Sequence, residues 1–181
     1  MNHEEHRTCA YERQLGRRAC EQIAADAFAR SCSAFTRRSI EITDEGESPD
    51  FWIKIDGRLL GLEVTEVRGP SRYSPFSDPR EYLDAFAATA LKKQESYERR
   101  GIFDQRIVLV GYSSSPPLWD MKRDALSGAV VDFTDFRFAE IWLLDQSDDY
   151  SGRPFADLIC LAPHDLRGFY EDSWVTRKPF G

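Results

Sequence analysis

Apolar and polar residues alternate most regularly between Pro49 and Val67, PDFWIKIDGRLLGLEVTEV, where Asp56-Gly57 separates two apolar-rich runs. Such a pair predicts a hairpin, because a two-residue type I′ turn needs positive φ at both central positions. With that turn, Ile55 pairs with Arg58, Ile53 with Leu60, Phe51 with Leu62 and Asp50 with Glu63. Side chains alternate faces along a strand, so Phe51, Ile53, Ile55, Leu60, Leu62 and Val64 form a core face. Asp50, Trp52, Lys54, Leu59, Gly61, Glu63 and Thr65 share the other.

Before the hairpin, Arg7 to about Arg30 has helical spacing, with Leu15, Ala19, Ile23 and Ala27 as its apolar stripe. Glu12 falls within that stripe and Glu21 points well away. Two accounts of Glu12 stand open: an exposed acid in a frayed first turn, where the helix dipole favours it, or a residue of a site. Ser39 to Thr43 predicts a short strand, and Asp44 to Ser48 a solvated acidic turn. After the hairpin, Arg68 to Ser77 is a loop carrying Arg68, Arg72 and Tyr73, either a substrate contact or a plain connection.

The clearest helix follows. Asp78 is a good N-cap, Pro79 suits the first position, Glu81 completes a capping-box-like pattern and Gly101 stops it. Leu83, Phe86, Ala87, Ala90, Gln94 and Tyr97 make its buried face. Lys93 lies on the flank of that face, roughly 60° from its centre, and Lys92 points away. Arg106 to Tyr112 is an unbroken apolar run suited to a strand covered on both faces. A helix from Asp120 to about Val131 and strands at Phe138–Leu144 and Asp157–Leu161 complete the pattern. His164-Asp165 has no partner Ser or Cys motif and reads as a surface turn. Arg167 to Gly181, with Phe169, Tyr170, Trp174 and Phe180, is too aromatic for a free tail and is expected to pack on the body or on a second copy.

The order is helix, three strands, helix, strand, helix, strand, strand, an α/β layer architecture. At 181 residues the chain predicts one domain, able to bury a core without staples. Hydrophobic residues at 41% and charged residues at 30% are those of a folded, soluble protein. A net charge of −7 argues against a broad electrostatic footprint for nucleic acid, so any such contact must rely on metal ions and local patches. Cys9, Cys20, Cys32 and Cys160 show neither a C-x-x-C pair nor zinc-ligand spacing, and suggest a reduced, cytoplasmic setting. The first residues lack the apolar core of a signal peptide, and no run approaches the ~18 residues of a membrane span. No membrane partner is expected.

The chemistry lies in the carboxylate pair. Opposed like charges, with Cβ atoms about 4.5–5.5 Å apart, destabilise a sheet unless something lies between them. A divalent cation would serve. Asp50 after Pro49, then a hairpin, then Glu63-Val64-Thr65 resembles the PD-(D/E)XK nuclease superfamily, whose restriction-endonuclease-like fold has an αβββαβ core. The resemblance runs from about Tyr11 to Ala162. It implies one domain over residues 1–181, with a central mixed sheet flanked by helices and an extra C-terminal helix and strands.

The resemblance also implies Mg²⁺ (or Mn²⁺) held by Asp50, Glu63 and the carbonyl of Val64, with a glutamate from the first helix, here Glu12, beside it. Thr65 stands where the motif lysine would be and carries no charge to stabilise a hydroxide. Relatives lacking that lysine often carry one on the helix after the third strand, which here would be Lys93, with Thr65 hydrogen-bonding near the metal shell. Glu12 and Lys93 sit on helices that cover opposite faces of the sheet, so both contribute only if the site lies at the end of the hairpin.

The implied function is metal-dependent hydrolysis of phosphodiester bonds by an endonuclease or exonuclease, with nucleic acid as partner, DNA the favoured class, and a two-fold dimer one expected form. A degenerate fold of the same type, used as a binding or interaction module, is the alternative. A third reading has Asp50 as a solvated cap on its strand, in an ordinary α/β domain.

Overall fold

The hairpin forms in the expected register. In the computed structural model, which describes residues 3–67, 78–102, 106–113, 118–146 and 154–171 but not the side chains of 3–15 and 113, Asp56 and Gly57 both have positive φ (49° and 80°). They join β2 (Phe51–Ile55) to β3 (Arg58–Glu66), pairing Ile55 with Arg58, Ile53 with Leu60 and Phe51 with Leu62. β1 (Ile40–Glu45) lies antiparallel on the outer side of β2. Its Glu41, Asp44 and Glu45 are exposed, and charge along an edge strand discourages pairing with another chain.

From β3 the chain crosses through α2 (Pro79–Arg100) to β4 (Ile107–Ser113), and from β4 through α3 (Leu118–Ser127) to β5 (Glu140–Asp145). Both strand pairs are parallel. Successive right-handed crossovers in one direction put their helices on one face of the sheet. β6 (Leu158–Ala162) and β7 (Gly168–Tyr170) then add antiparallel strands. The result is one seven-stranded mixed sheet in the order β1 to β7, an α/β arrangement flanked by helices.

Alternation divides the core in two. Leu62, Val64, Val110 and Trp142 face α1 (His3–Thr36) and pack with its Ala24, Phe28 and Cys32. Leu109, Ile141 and Leu143 face the other way, onto Leu83, Phe86 and Met121 of α2 and α3. α2 keeps its expected ends. Asp78 accepts from the Arg80 N–H at 2.8 Å, and Gly101 closes the helix in the left-handed region at φ 67°. Among the described residues, no helix is long and apolar enough to cross a membrane.

Three expectations change. α1 extends to Thr36, but Gly16 (φ 74°, ψ 163°) breaks its helical phase. The buried stripe is Ala24, Ala25, Phe28 and Cys32, while Ile23 is 40% exposed; the bulkier Phe28 and Cys32 face the sheet in place of the stripe through Ala19, Ile23 and Ala27. α3 begins at Leu118 rather than Asp120, because the buried Asp145 on β5 accepts the Leu118 N–H at 2.8 Å and caps the helix from across the fold. Gly168–Tyr170 forms the last strand of the sheet, a definite place for the start of the aromatic segment. Residues 172–181, with Trp174 and Phe180, lie outside the described residues, as does the loop bearing Arg68, Arg72 and Tyr73.

α2 packs tightly against the sheet at Gly111, where an added Cβ would come 2.5 Å from the Phe86 ring. Gly111→Ala is expected to cost about 1–3 kcal/mol by overpacking, read from urea unfolding with an unchanged m-value. Wild-type stability in that variant would mean that α2 is not seated as described.

Candidate functional site

Past the last β2–β3 pair, the loop Gly46–Asp50 folds over the end of the hairpin. The Gly46 N–H donates to the Asp50 carbonyl at 2.8 Å, and a Cβ on Gly46 would lie 2.3 Å from the Pro49 oxygen. Only glycine permits that approach. Asp50 is 7% exposed and Glu63 4%. Asp50 Oδ2 accepts the Val64 N–H at 2.9 Å, a donor freed because β2 has ended. In a strand the N–H and C=O of one residue leave on the same side, so the Val64 carbonyl also points toward the β2 side, beyond the last ladder pair.

From the α2 face, Lys93 Nζ and the Tyr97 hydroxyl donate to the two oxygens of Glu63, one to each. They are four residues apart, one turn of helix, and so project from the same side of α2. The Lys93 side chain is 26% exposed, which leaves its amine at the rim, whereas Tyr97 is fully buried. Burial first, and then the negative charge of Glu63, push the Tyr97 hydroxyl well above its ordinary value. It stays protonated and donates.

From the α1 face comes Arg18. Its guanidinium lies 4.5 Å from the centre of the Phe51 ring and donates to the carbonyls of Gly46 at 3.1 Å and Asp50 at 2.8 Å. The other guanidinium nitrogen is 3.6 Å from Glu21 Oε2 and 3.8 Å from Asp50 Oδ1. Glu21 is 6% exposed and also accepts from Arg17 Nε at 2.7 Å. The acid that α1 brings to this end of the sheet is therefore Glu21, contrary to the expectation that it points away. Glu12 lies on α1, but its side chain is outside the described residues.

The placement of the expected residues is thus uneven. Asp50, Glu63, Val64 and Lys93 come together. Thr65 is half-buried on the Glu63 face of β3, opposite Gly111. Lys92 is exposed. Arg18, Glu21 and Tyr97 were not foreseen as parts of a site. The i, i+4 spacing of Lys93 and Tyr97 was a signal for the last; the i, i+3 spacing of Arg18 and Glu21, in phase with Ala24, Phe28 and Cys32, was the signal for the other two.

Chemically, the two buried carboxylates raise each other's cost. Burial first and Glu63 second push the Asp50 carboxyl up to about 6, against the pull of the Val64 N–H and Lys93. Among the described residues, no group of three or more His, Cys, Asp or Glu side chains is placed to hold a metal ion; Glu21 reaches Asp50 through Arg18. Two carboxylates and a carbonyl nevertheless suit Mg²⁺, a hard cation that keeps several waters and takes one or two protein carboxylates. Comparison with protein-family models, curated proteins and solved structures finds no match to this chain.

The Asp50 shift has a sign that can be tested. From roughly pH 4 to 6, folded Asp50 keeps a proton that the unfolded chain has released, so stability falls as pH rises through that window. Above it, the buried charge costs at most about 3 kcal/mol. Asp50→Asn keeps an acceptor for Val64 and removes the charge. In metal-free buffer it is expected to be more stable than wild type to urea at pH 7.5 and equal to it near pH 4. A variant less stable than wild type at pH 7.5 would contradict this reading.

Proposed function

We propose that this chain is a metal-dependent nuclease of the PD-(D/E)XK type in which the lysine is supplied by α2. The observation that carries the reading is the direct ion pair of Lys93 with Glu63, which delivers an amine to the carboxylate that the Thr65 position leaves without one. The element order adds support: α1, the meander β1–β2–β3, and a crossover through α2 to parallel β4 follow the restriction-endonuclease-like order αβββαβ. Fold alone carries no activity. The site does.

Asp50, Glu63 and the Val64 carbonyl would hold Mg²⁺ or Mn²⁺. When bound, the ion supplies charge relief at a phosphate and a more acidic water. The residues of the chain do the rest. Lys93, at the solvent rim, hydrogen-bonds the attacking water and balances negative charge as it gathers on the phosphate. Thr65 lies along the same face and offers a hydroxyl nearby. Arg18 fixes the loop that carries Asp50. Water adds to phosphorus in line and the P–O ester bond breaks, leaving a phosphomonoester and an alcohol, without a covalent intermediate. Nucleic acid is the substrate class, with DNA the first choice.

The internal hold on both Glu63 oxygens favours the second reading, a binding module of the same fold that has lost turnover. Calorimetry with Mn²⁺ on wild type and Glu63→Gln, with cleavage of single- and double-stranded DNA and RNA in the same buffers, separates the two. The nuclease reading expects binding and EDTA-sensitive cleavage, both lost in Glu63→Gln, and cleavage reduced at least 100-fold in Lys93→Ala, in line with a lost proton-transfer or charge-balancing group. Absence of Mn²⁺ binding in folded wild type would defeat it in favour of the module.

A further inference from the structure

We infer that Tyr97 is a positioning residue that sets which divalent cation the Asp50–Glu63 site accepts; this rests on the metal-site reading above. Tyr97 reaches the acid pair from the α2 side. Its hydroxyl donates to Glu63 Oε2 on β3, and Lys93, one turn earlier on the same helix, takes Oε1. Because Tyr97 is fully buried in the face where α2 packs on the sheet, its ring cannot swing to follow a displaced carboxylate.

The two Glu63 oxygens therefore differ. Oε2 is tied to a neutral, buried donor, and Oε1 to Lys93 at the solvent rim. A cation draws on the Oε1 side, where only a mobile amine has to move aside, and Glu63 is held to single-oxygen coordination. That arrangement selects by size. Mg²⁺ and Mn²⁺ need short, near-octahedral contacts and accept single-oxygen carboxylates with several waters, whereas Ca²⁺ prefers longer contacts, more protein oxygens and two-oxygen carboxylates. Releasing Oε2 frees Glu63 to rotate and use both oxygens.

Tyr97→Phe keeps the ring and its packing and removes the hydrogen bond to Glu63 Oε2. Partners of metal ligands typically contribute 10–100-fold in affinity. Calorimetric titration of Tyr97→Phe is expected to show Mn²⁺ binding weakened about tenfold, with Ca²⁺ binding within about twofold of wild type or tighter, so that the Mn²⁺/Ca²⁺ preference collapses. Equal weakening of Mn²⁺ and Ca²⁺ would overturn the role of Tyr97 and leave the metal site standing. No binding of either ion by folded wild type would overturn both readings together.

Discussion

Two carboxylates buried side by side at the end of a hairpin are the constraint on which this end of the molecule depends. Asp50 and Glu63 are both nearly inaccessible, and each disfavours the charge of the other. A buried, uncompensated charge costs several kcal/mol. The surroundings answer that cost atom by atom: the Val64 N–H on Asp50, Lys93 and Tyr97 on Glu63, and Arg18 between Asp50 and Glu21. A protein with no use for the pair would be better served by apolar residues of similar volume there.

The fold makes this compensation available from both sides. α1 and α2 cover opposite faces of the sheet, and strand alternation alone would keep their side chains apart. They meet because β2 begins only at Phe51, one residue after Asp50, and the loop Gly46–Asp50 closes over the exposed end of the ladder. Arg18 grips that loop by its carbonyls, and Lys93 and Tyr97 hold the two oxygens of Glu63 from the other face. The geometric problem posed by helices on opposite faces is solved at the hairpin end, with Glu21 and Arg18 as the contribution of α1.

How much was legible in the sequence follows from the range over which each signal acts. The hairpin register, the two faces of β2 and β3, and the flank position of Lys93 come from periods of two and 3.6 residues counted over short distances, and each is found in place. Asp78 and Gly101 mark the ends of α2 for the same reason. Long-range partners leave no such trace. Asp145 caps α3 from another strand, and nothing near Leu118 announces it. In α1 the stripe through Ala19, Ile23 and Ala27 was chosen over a neighbouring one: Ala24, Ala25, Phe28 and Cys32 are buried with Glu21 on their side of the helix, and Ile23 lies outside it; the break at Gly16 cuts only Leu15 and earlier positions off from that phase. β7 is three residues long, too short for periodicity to register.

The central claim is that the acid pair is held in readiness for a divalent cation and that Lys93 guards its open oxygen. Crystals of the wild-type protein grown with Mn²⁺, and their anomalous scattering, test it most directly. A manganese peak beside Asp50 and Glu63, with Lys93 Nζ withdrawn from Glu63 and Tyr97 still bound to it, is the expected result. Density that shows Lys93 and Tyr97 both on Glu63 at saturating Mn²⁺, and no peak at the pair, would contradict it.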